Sequence, residues 1–241
     1  MNRRRFLLSS IACVPVIGCT TKTSDPPPAF GHQASDDASE GYVLGLAADM
    51  SGSFARFMTG EDGASDGAAW TFLMDVIDRF MRARLGEPDQ IVIAQLSGET
   101  TEPLVWQGSG ADLRGSMDAE KLNALLRSKS DKQGSAIHDG CAKLINTVMA
   151  EPGVANRTKR AVVLILSDME ENIRGDPMRS QRRLVESLKK FAQVNSAFGI
   201  FFCDERFVEL WRGQLQTAGF TASRATVQSG IKANPPLPSF D

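Results

Sequence analysis

The chain has 241 residues, 42% of them hydrophobic and 23% charged. That balance is close to the globular average, so most of the chain is neither disordered nor fibrous, and the length allows one full-sized domain with tails. With 27 basic against 29 acidic residues the net charge is −2, and there are four cysteines; this removes a global electrostatic case for nucleic-acid binding and excludes a disulfide-dense secreted scaffold.

In chain order the first element is an export signal over residues 1–18. Arg3, Arg4 and Arg5 precede an uncharged, mostly apolar stretch from Phe6 to Gly18, too short at about 1.5 Å per residue to span a bilayer as a helix. The three arginines fit either the general export route or a twin-arginine route, from whose flanking preferences Asn2 and Leu8 depart. Loss of these residues leaves 24 basic and 29 acidic side chains, a net charge of −5. Residues 19–40 hold Pro26-Pro27-Pro28, many polar residues and His32, the composition of an extended or disordered linker with an inert, solvated histidine.

Residues 41–228 read as one domain. Tyr42 to Ala48 is a nearly continuous apolar run ending at Asp49, the pattern of a parallel strand buried on both faces. A helix follows over about Ser65 to Arg84, with Phe72, Val76 and Phe80 beside Leu73, Ile77 and Met81. Strands are predicted at Gln90–Leu96 and Leu104–Gln107; the link between them is too short for a crossover helix, which makes the second antiparallel to the first. Two helices are predicted over about Asp118–Arg127 and Ser135–Met149, followed by the most apolar strand, Ala161–Leu166, which ends in Ser167-Asp168. A helix bearing Leu184, Leu188 and Phe191, a strand Phe198–Phe202, a helix bearing Phe207, Leu210, Trp211 and Leu215, and a weak strand near Ala225–Val227 complete the domain. This order predicts a three-layer α/β/α sandwich with a mostly parallel sheet and one antiparallel edge strand, and ligands in such folds gather beyond the carboxyl ends of the strands. Residues 229–241 include Pro235-Pro236-Leu237-Pro238 and read as a floppy tail.

Two local patterns resemble known families. Val16-Ile17-Gly18-Cys19 resembles the lipobox of bacterial lipoproteins. It implies a diacylglycerol on Cys19 as the mature N-terminus and a chain held by lipid in the cell envelope, on the periplasmic side or the cell surface; an ordinary cleaved signal with an incidental Cys19 is the alternative. Asp49-Met50-Ser51-Gly52-Ser53 resembles the DxSxS signature of the von Willebrand factor type A domain. That resemblance runs from about Tyr42 to Val227 and implies a metal-ion-dependent adhesion site built from three loops. The second loop's Thr corresponds to Ser135 after Gly134, and the third loop's Asp to Asp168, followed by Met169 where the family often has Gly.

The residue types suit such chemistry on their own terms. Magnesium takes six oxygens and gives up water reluctantly, so Ser51, Ser53 and Ser135 can offer oxygen directly, while Asp49 and Asp168 balance charge directly or through bound water. Calcium or manganese are the other candidate ions, and Glu170-Glu171 are candidate extra acids or a solvated loop. The implied function is a binding module that captures a protein, or another acid-bearing polymer, through the cation. Two other readings are a structural envelope protein with a vestigial site and a magnesium-dependent hydrolase.

For an enzyme the sequence offers little: G-x-S-x-G, P-loop, H-E-x-x-H and G-x-G-x-x-G patterns are all missing. A haloacid-dehalogenase-like phosphatase needs a second Asp where Ser51 stands. Asp139, one helical turn past Ser135, is a candidate support for the metal shell or a surface acid. His138 is expected to be hydrogen-bonded or exposed, without a catalytic role. Cys141 and Cys203 read as buried free thiols, with a disulfide as the alternative, and Trp70, Trp106 and Trp211 as packing residues.

Overall fold

The computed structural model describes residues 41–60, 67–83, 89–98, 102–130, 134–173 and 176–230. The predicted signal peptide, Cys19, the linker with His32 and the prolines of the tail lie outside them.

Six strands form one sheet in the order β3-β2-β1-β4-β5-β6: β1 (Gly41–Ala48), β2 (Gln90–Gln95), β3 (Leu104–Ser109), β4 (Lys159–Leu166), β5 (Ser196–Phe201) and β6 (Ala225–Gln228). All pairings are parallel except β2 with β3, as the short link between them predicts. β1 and β4 are the central pair, matched from Gly41↔Lys159 to Ala48↔Leu166.

Both faces of the central strands are covered, which is why their sequences are apolar without alternation. Val43 and Ala47 of β1 and Ala161, Val163 and Ile165 of β4 face one core, closed by α5 (Ile137–Ala150), α7 (Pro177–Ala192) and α8 (Glu205–Ala218). Leu44, Leu46, Val162 and Leu164 face the other, closed by α2 (Ala68–Ala83) and by Leu113, Leu122 and Leu126 of α3 (Gly110–Ser116) and α4 (Ala119–Ser128). Gly45 lets α5 lie close on the sheet, for a Cβ there would sit 2.9 Å from Val148 Cγ2 and 3.0 Å from Val163 Cγ2.

Three short helices were not foreseen: α1 (Ala55–Thr59), α3 and α6 (Pro152–Ala155). Each is too short to show a period, and local caps define two of them. Ser109 and Asp112 form a reciprocal capping box at α3, and Pro152 opens α6 at a position whose N–H needs no partner. Ser135 lies outside helix α5, which starts at Ile137, because its backbone is paired with strand extensions on both sides.

Trp70 and Trp211 are buried packing residues and Trp106 is half-buried against the second core. Cys141 and Cys203 are free and buried, so no disulfide joins them. Burial raises both thiols well out of the reactive range, Cys203 to about 12. Among the described residues no helix is long and apolar enough to cross a membrane.

Candidate metal centre

The chain leaves β1 for β2 on one side of the sheet and returns through β4 on the other. The carboxyl ends of β1 and β4 therefore mark the reversal of strand order, the place where open α/β sheets form their ligand crevice. Asp49 and Ser167 follow the last matched pair of these strands, and the ladder runs on through Asp49 N–H donating to Leu166 O at 2.9 Å.

Asp49 is fully buried, with 0% of its surface exposed. Its Oδ1 accepts from the Ser51 backbone N–H at 2.8 Å and its Oδ2 from the Ser167 hydroxyl at 2.9 Å. Among the described residues no basic side chain forms an ion pair with it. Burial lifts its carboxyl from 3.8 to about 6; the hydrogen bonds from Ser51 and Ser167 oppose the rise, and the charge of Asp168 adds to it.

Ser51 and Ser53 stand on the same turn with hydroxyl oxygens 3.3 Å apart. Phe54 and Ala55 donate backbone N–H groups to Ser51 O, starting α1. Phe54 and Phe57 pack against Phe202, with ring centroids 5.8 and 5.6 Å away, and so clamp this first loop to the end of β5.

Ser135 arrives by backbone pairing. Its segment bridges Ser97 and Gly98 beyond β2 on one side and Asn172 beyond β4 on the other, and so crosses over the end of β1. The Ser135 N–H donates to Asn172 O at 2.8 Å and the Asn172 N–H returns to Ser135 O at 3.1 Å. Gly134 eases this approach, since a Cβ would lie 3.1 Å from Asn172 O, a tight contact. No side-chain hydrogen bond links Ser135 to Asp49, Ser51, Ser53 or Asp168; the ends of β1 and β4 bring Asp49, Ser51, Ser53 and Asp168 to one pole, and backbone pairing brings Ser135 there.

Asp168 is half-buried, and its Oδ1 accepts from Glu170 N–H at 3.0 Å. Its carbonyl accepts from Asp204 N–H at 3.0 Å, tying the third loop to the loop beyond β5. Met169, at the position where glycine was noted as usual, has a left-handed backbone with φ 63°. Its N–H is held by the Ser167 hydroxyl at 2.9 Å and its side chain is buried. Burial and the hydroxyl thus offset a conformation that costs a side-chain-bearing residue about 1–2 kcal/mol.

No family model and no curated protein matches the sequence. Solved structures do match in shape. The SpRpn10 VWA domain aligns with a TM-score of 0.52 over 83% of this chain and 90% of that domain, at 12% identity. The fold is that of a von Willebrand factor type A domain. Two further structures are similar: the PilB minor pilin from Streptococcus sanguinis (TM-score 0.53, 9% identity, 79% of this chain and 57% of that one) and the pilus adhesin SpaC from Lactobacillus rhamnosus GG (0.50, 13%, 78% and 28%). At such identities the likeness covers the fold alone.

Within this A-type fold several neighbours of the crevice differ from expectation. Glu171 is not a solvated loop acid: its side chain is 7% exposed, and it caps α5 from outside the helix. Its Oε2 accepts from His138 N–H at 2.9 Å and its Oε1 from the Ser180 hydroxyl at 3.0 Å. This replaces the missing cap at Ala136, which has no side-chain hydrogen bond to give. Burial raises the Glu171 carboxyl, against those hydrogen bonds. Glu170, by contrast, is exposed and pairs with Arg206 at 3.5 Å.

Asp139 does not support the crevice; it pairs outward with Arg183 at 2.6 Å. His138 is buried against Trp211, its ring 5.4 Å from the indole and its Nδ1 3.6 Å from Glu171. That burial lowers it to about 4, so it is a neutral packing residue. Ser167 and Asn172 are the contributors that sequence reasoning did not place, and Glu171, weighed there as an extra acid or a solvated loop, has a different role; only Ser167, a hydroxyl directly beyond a buried strand, carried a readable signal.

The donor set suits a hard cation. Among the described residues no group of three or more His, Cys, Asp or Glu side chains is arranged to hold a metal, so any ion here relies on hydroxyl oxygens beside two carboxylates. That selects magnesium, calcium or manganese over zinc or copper.

Proposed function

We propose that this domain is an envelope-anchored binding module that uses a divalent cation, magnesium first among the candidates, to capture a partner through the partner's carboxylate. One observation carries the reading: Asp49 is wholly buried, with no basic partner among the described residues, near a second acid, Asp168, and next to the hydroxyls of Ser51 and Ser53. A buried, uncompensated carboxylate is costly unless a positive charge offsets it.

In this reading Ser51, Ser53 and Ser135 provide neutral oxygens, and Asp49 and Asp168 provide charge directly or through water. Bound there, the cation supplies a positive centre whose remaining positive field attracts an external carboxylate. Ser167 fixes the orientation of Asp49, and the Ser135–Asn172 pairing holds the second and third loops in register. A carboxylate about 4 Å from a unit positive charge gains roughly 4 kcal/mol at an effective dielectric of 20, before desolvation. The lipobox-like Val16–Cys19 supports the envelope setting. So does the company of the fold, which includes a minor pilin and a pilus adhesin.

The test is calorimetric titration of the full chain with magnesium, together with partner capture from envelope extracts with and without chelator. Saturable binding that Ser51→Ala/Ser53→Ala abolishes, and capture lost in chelator, are expected. Capture unchanged in excess chelator contradicts the proposal.

A further inference from the structure

The two ends of the sheet carry opposite charge. At the carboxyl ends of the strands lie Asp49, Asp168, Glu170 and Asp204, with Arg206 held by Asp204 and Glu170. At the other end, on the side from β1 to β6, the balance reverses. Arg157 and Lys159 lead into β4, and Lys189 and Lys190 form the last turn of α7. None of these four forms an ion pair among the described residues, and Arg157, Lys189 and Lys190 are exposed. Arg224, just before β6, adds a charge there while its guanidinium holds the carbonyls of Ala192, Val194 and Ser196.

Among the described residues the acids at this end are either hydrogen-bonded or off to one side, apart from exposed Glu186 one turn before Lys190; Asp36, Asp37, Glu40 and Glu87 lie outside those residues. Asp89 is buried and accepts from Tyr42 N–H at 2.7 Å, and Glu151 accepts from Gln107. Asp112 and Asp118 cap the two helices that follow β3, where Arg114 and Lys121 make the charge mixed.

The tether enters at this same end. Gly41 begins β1 beside Lys159, and the 22 residue-to-residue steps from Cys19 to Gly41 reach at most about 75 Å at 3.4 Å each. The eight residues of β4 separate the two poles by about 26 Å, roughly three Debye lengths at physiological salt, so each pole acts on its own surroundings.

We infer that the basic pole formed by Arg157, Lys159, Lys189 and Lys190 rests on anionic phospholipid headgroups of the membrane that carries the tether, and so turns the Asp49 crevice outward. The inference rests on the lipid-anchor part of the preceding section only for the choice of surface. Each exposed cation near an anionic membrane contributes about fivefold in partitioning, and tethering raises the local concentration enough for weak contacts to matter.

The experiment uses the full chain carrying Cys19→Ser, so that no lipid is attached, and vesicles of phosphatidylcholine alone or mixed with phosphatidylglycerol. Any contribution of Arg3–Arg5 is common to every variant. Cosedimentation should favour the anionic vesicles and weaken with salt. Lys189→Ala/Lys190→Ala should lower it roughly 25-fold and Arg157→Asn about fivefold, while Arg114→Ala, on the mixed side, leaves it unchanged. Equal binding to both vesicles, or wild-type binding by the Lys189→Ala/Lys190→Ala protein, overturns the inference. Binding of these cations to polyglutamate without preference for anionic vesicles overturns it in favour of an acidic protein partner. Mass spectrometry of the processed chain tests the anchor separately: an unmodified Cys19 refutes the lipid tether without altering the vesicle result.

Discussion

Replacing Asp49 by Asn should stabilise the metal-free protein and remove its response to magnesium. In the folded state the Asp49 carboxyl is raised from 3.8 to about 6, so the native state holds this proton more tightly than the unfolded chain does. The stability it contributes is complete below about pH 4 and is lost as pH rises through about 6, a penalty of about 3 kcal/mol at pH 7.5. Asn keeps an acceptor for Ser51 N–H but matches the Ser167 hydroxyl less well, giving back about 1 kcal/mol. The net gain of about 2 kcal/mol corresponds to a rise in Tm of roughly 4–8 °C for a domain of this size.

Thermal unfolding of the full chain in chelator and in saturating magnesium measures both effects. Wild type should gain Tm with magnesium, whereas Asp49→Asn should start higher and not move. At pH 4.5 the advantage of the variant in chelator should vanish. Lower Tm for Asp49→Asn in chelator, with a magnesium response equal to wild type, would refute the reasoning. The same titration sets a metal dependence: protons compete with the cation, so magnesium affinity should fall as pH drops through about 6.

Three further outcomes follow from the packing. Glu171→Ala strands the His138 N–H in a buried place, while the Ser180 hydroxyl keeps the Pro177 carbonyl, and should cost about 1–3 kcal/mol by denaturant unfolding, while Glu171→Gln, which keeps one acceptor, should cost about 1. His138, lowered to about 4 by burial beside Trp211 and Glu171, should stay neutral by NMR at pH 5.5. Its folded value lies below the unfolded one, so its contribution to stability is complete above about pH 6.5 and is lost as pH falls towards 4. Gly45→Ala forces a methyl against two stiff, branched side chains, Val148 and Val163, and should lower stability by about 1–3 kcal/mol.

The elements read well from sequence where burial dictated composition. The run from Ala161 to Leu166 is apolar because α5 and α7 cover one face of β4 and the α2 layer the other, and a run that apolar has few alternatives. The antiparallel β3 was legible from chain length alone. Asp49, Ser51 and Ser53 were visible as a local motif. What stayed hidden is whatever depends on contacts between distant segments. Ser135 looks like a helix start until Ser97 and Asn172 are found on either side of it. Glu171, beside another acid in sequence, reads as solvated until the uncapped end of α5 turns out to need its carboxylate. Asp139 and Ser135, four residues apart, were expected on one helix face, yet the helix begins between them and Arg183 draws Asp139 outward.

The central claim is that three separated turns place hard oxygen donors around one cation. Manganese soaked into crystals of the full chain and located by anomalous scattering tests it most directly. A single peak among the side-chain oxygens of Asp49, Ser51, Ser53, Ser135 and Asp168, displaced by magnesium, is the predicted result. An empty crevice at saturating manganese, or a peak at another pole of the molecule, would contradict it.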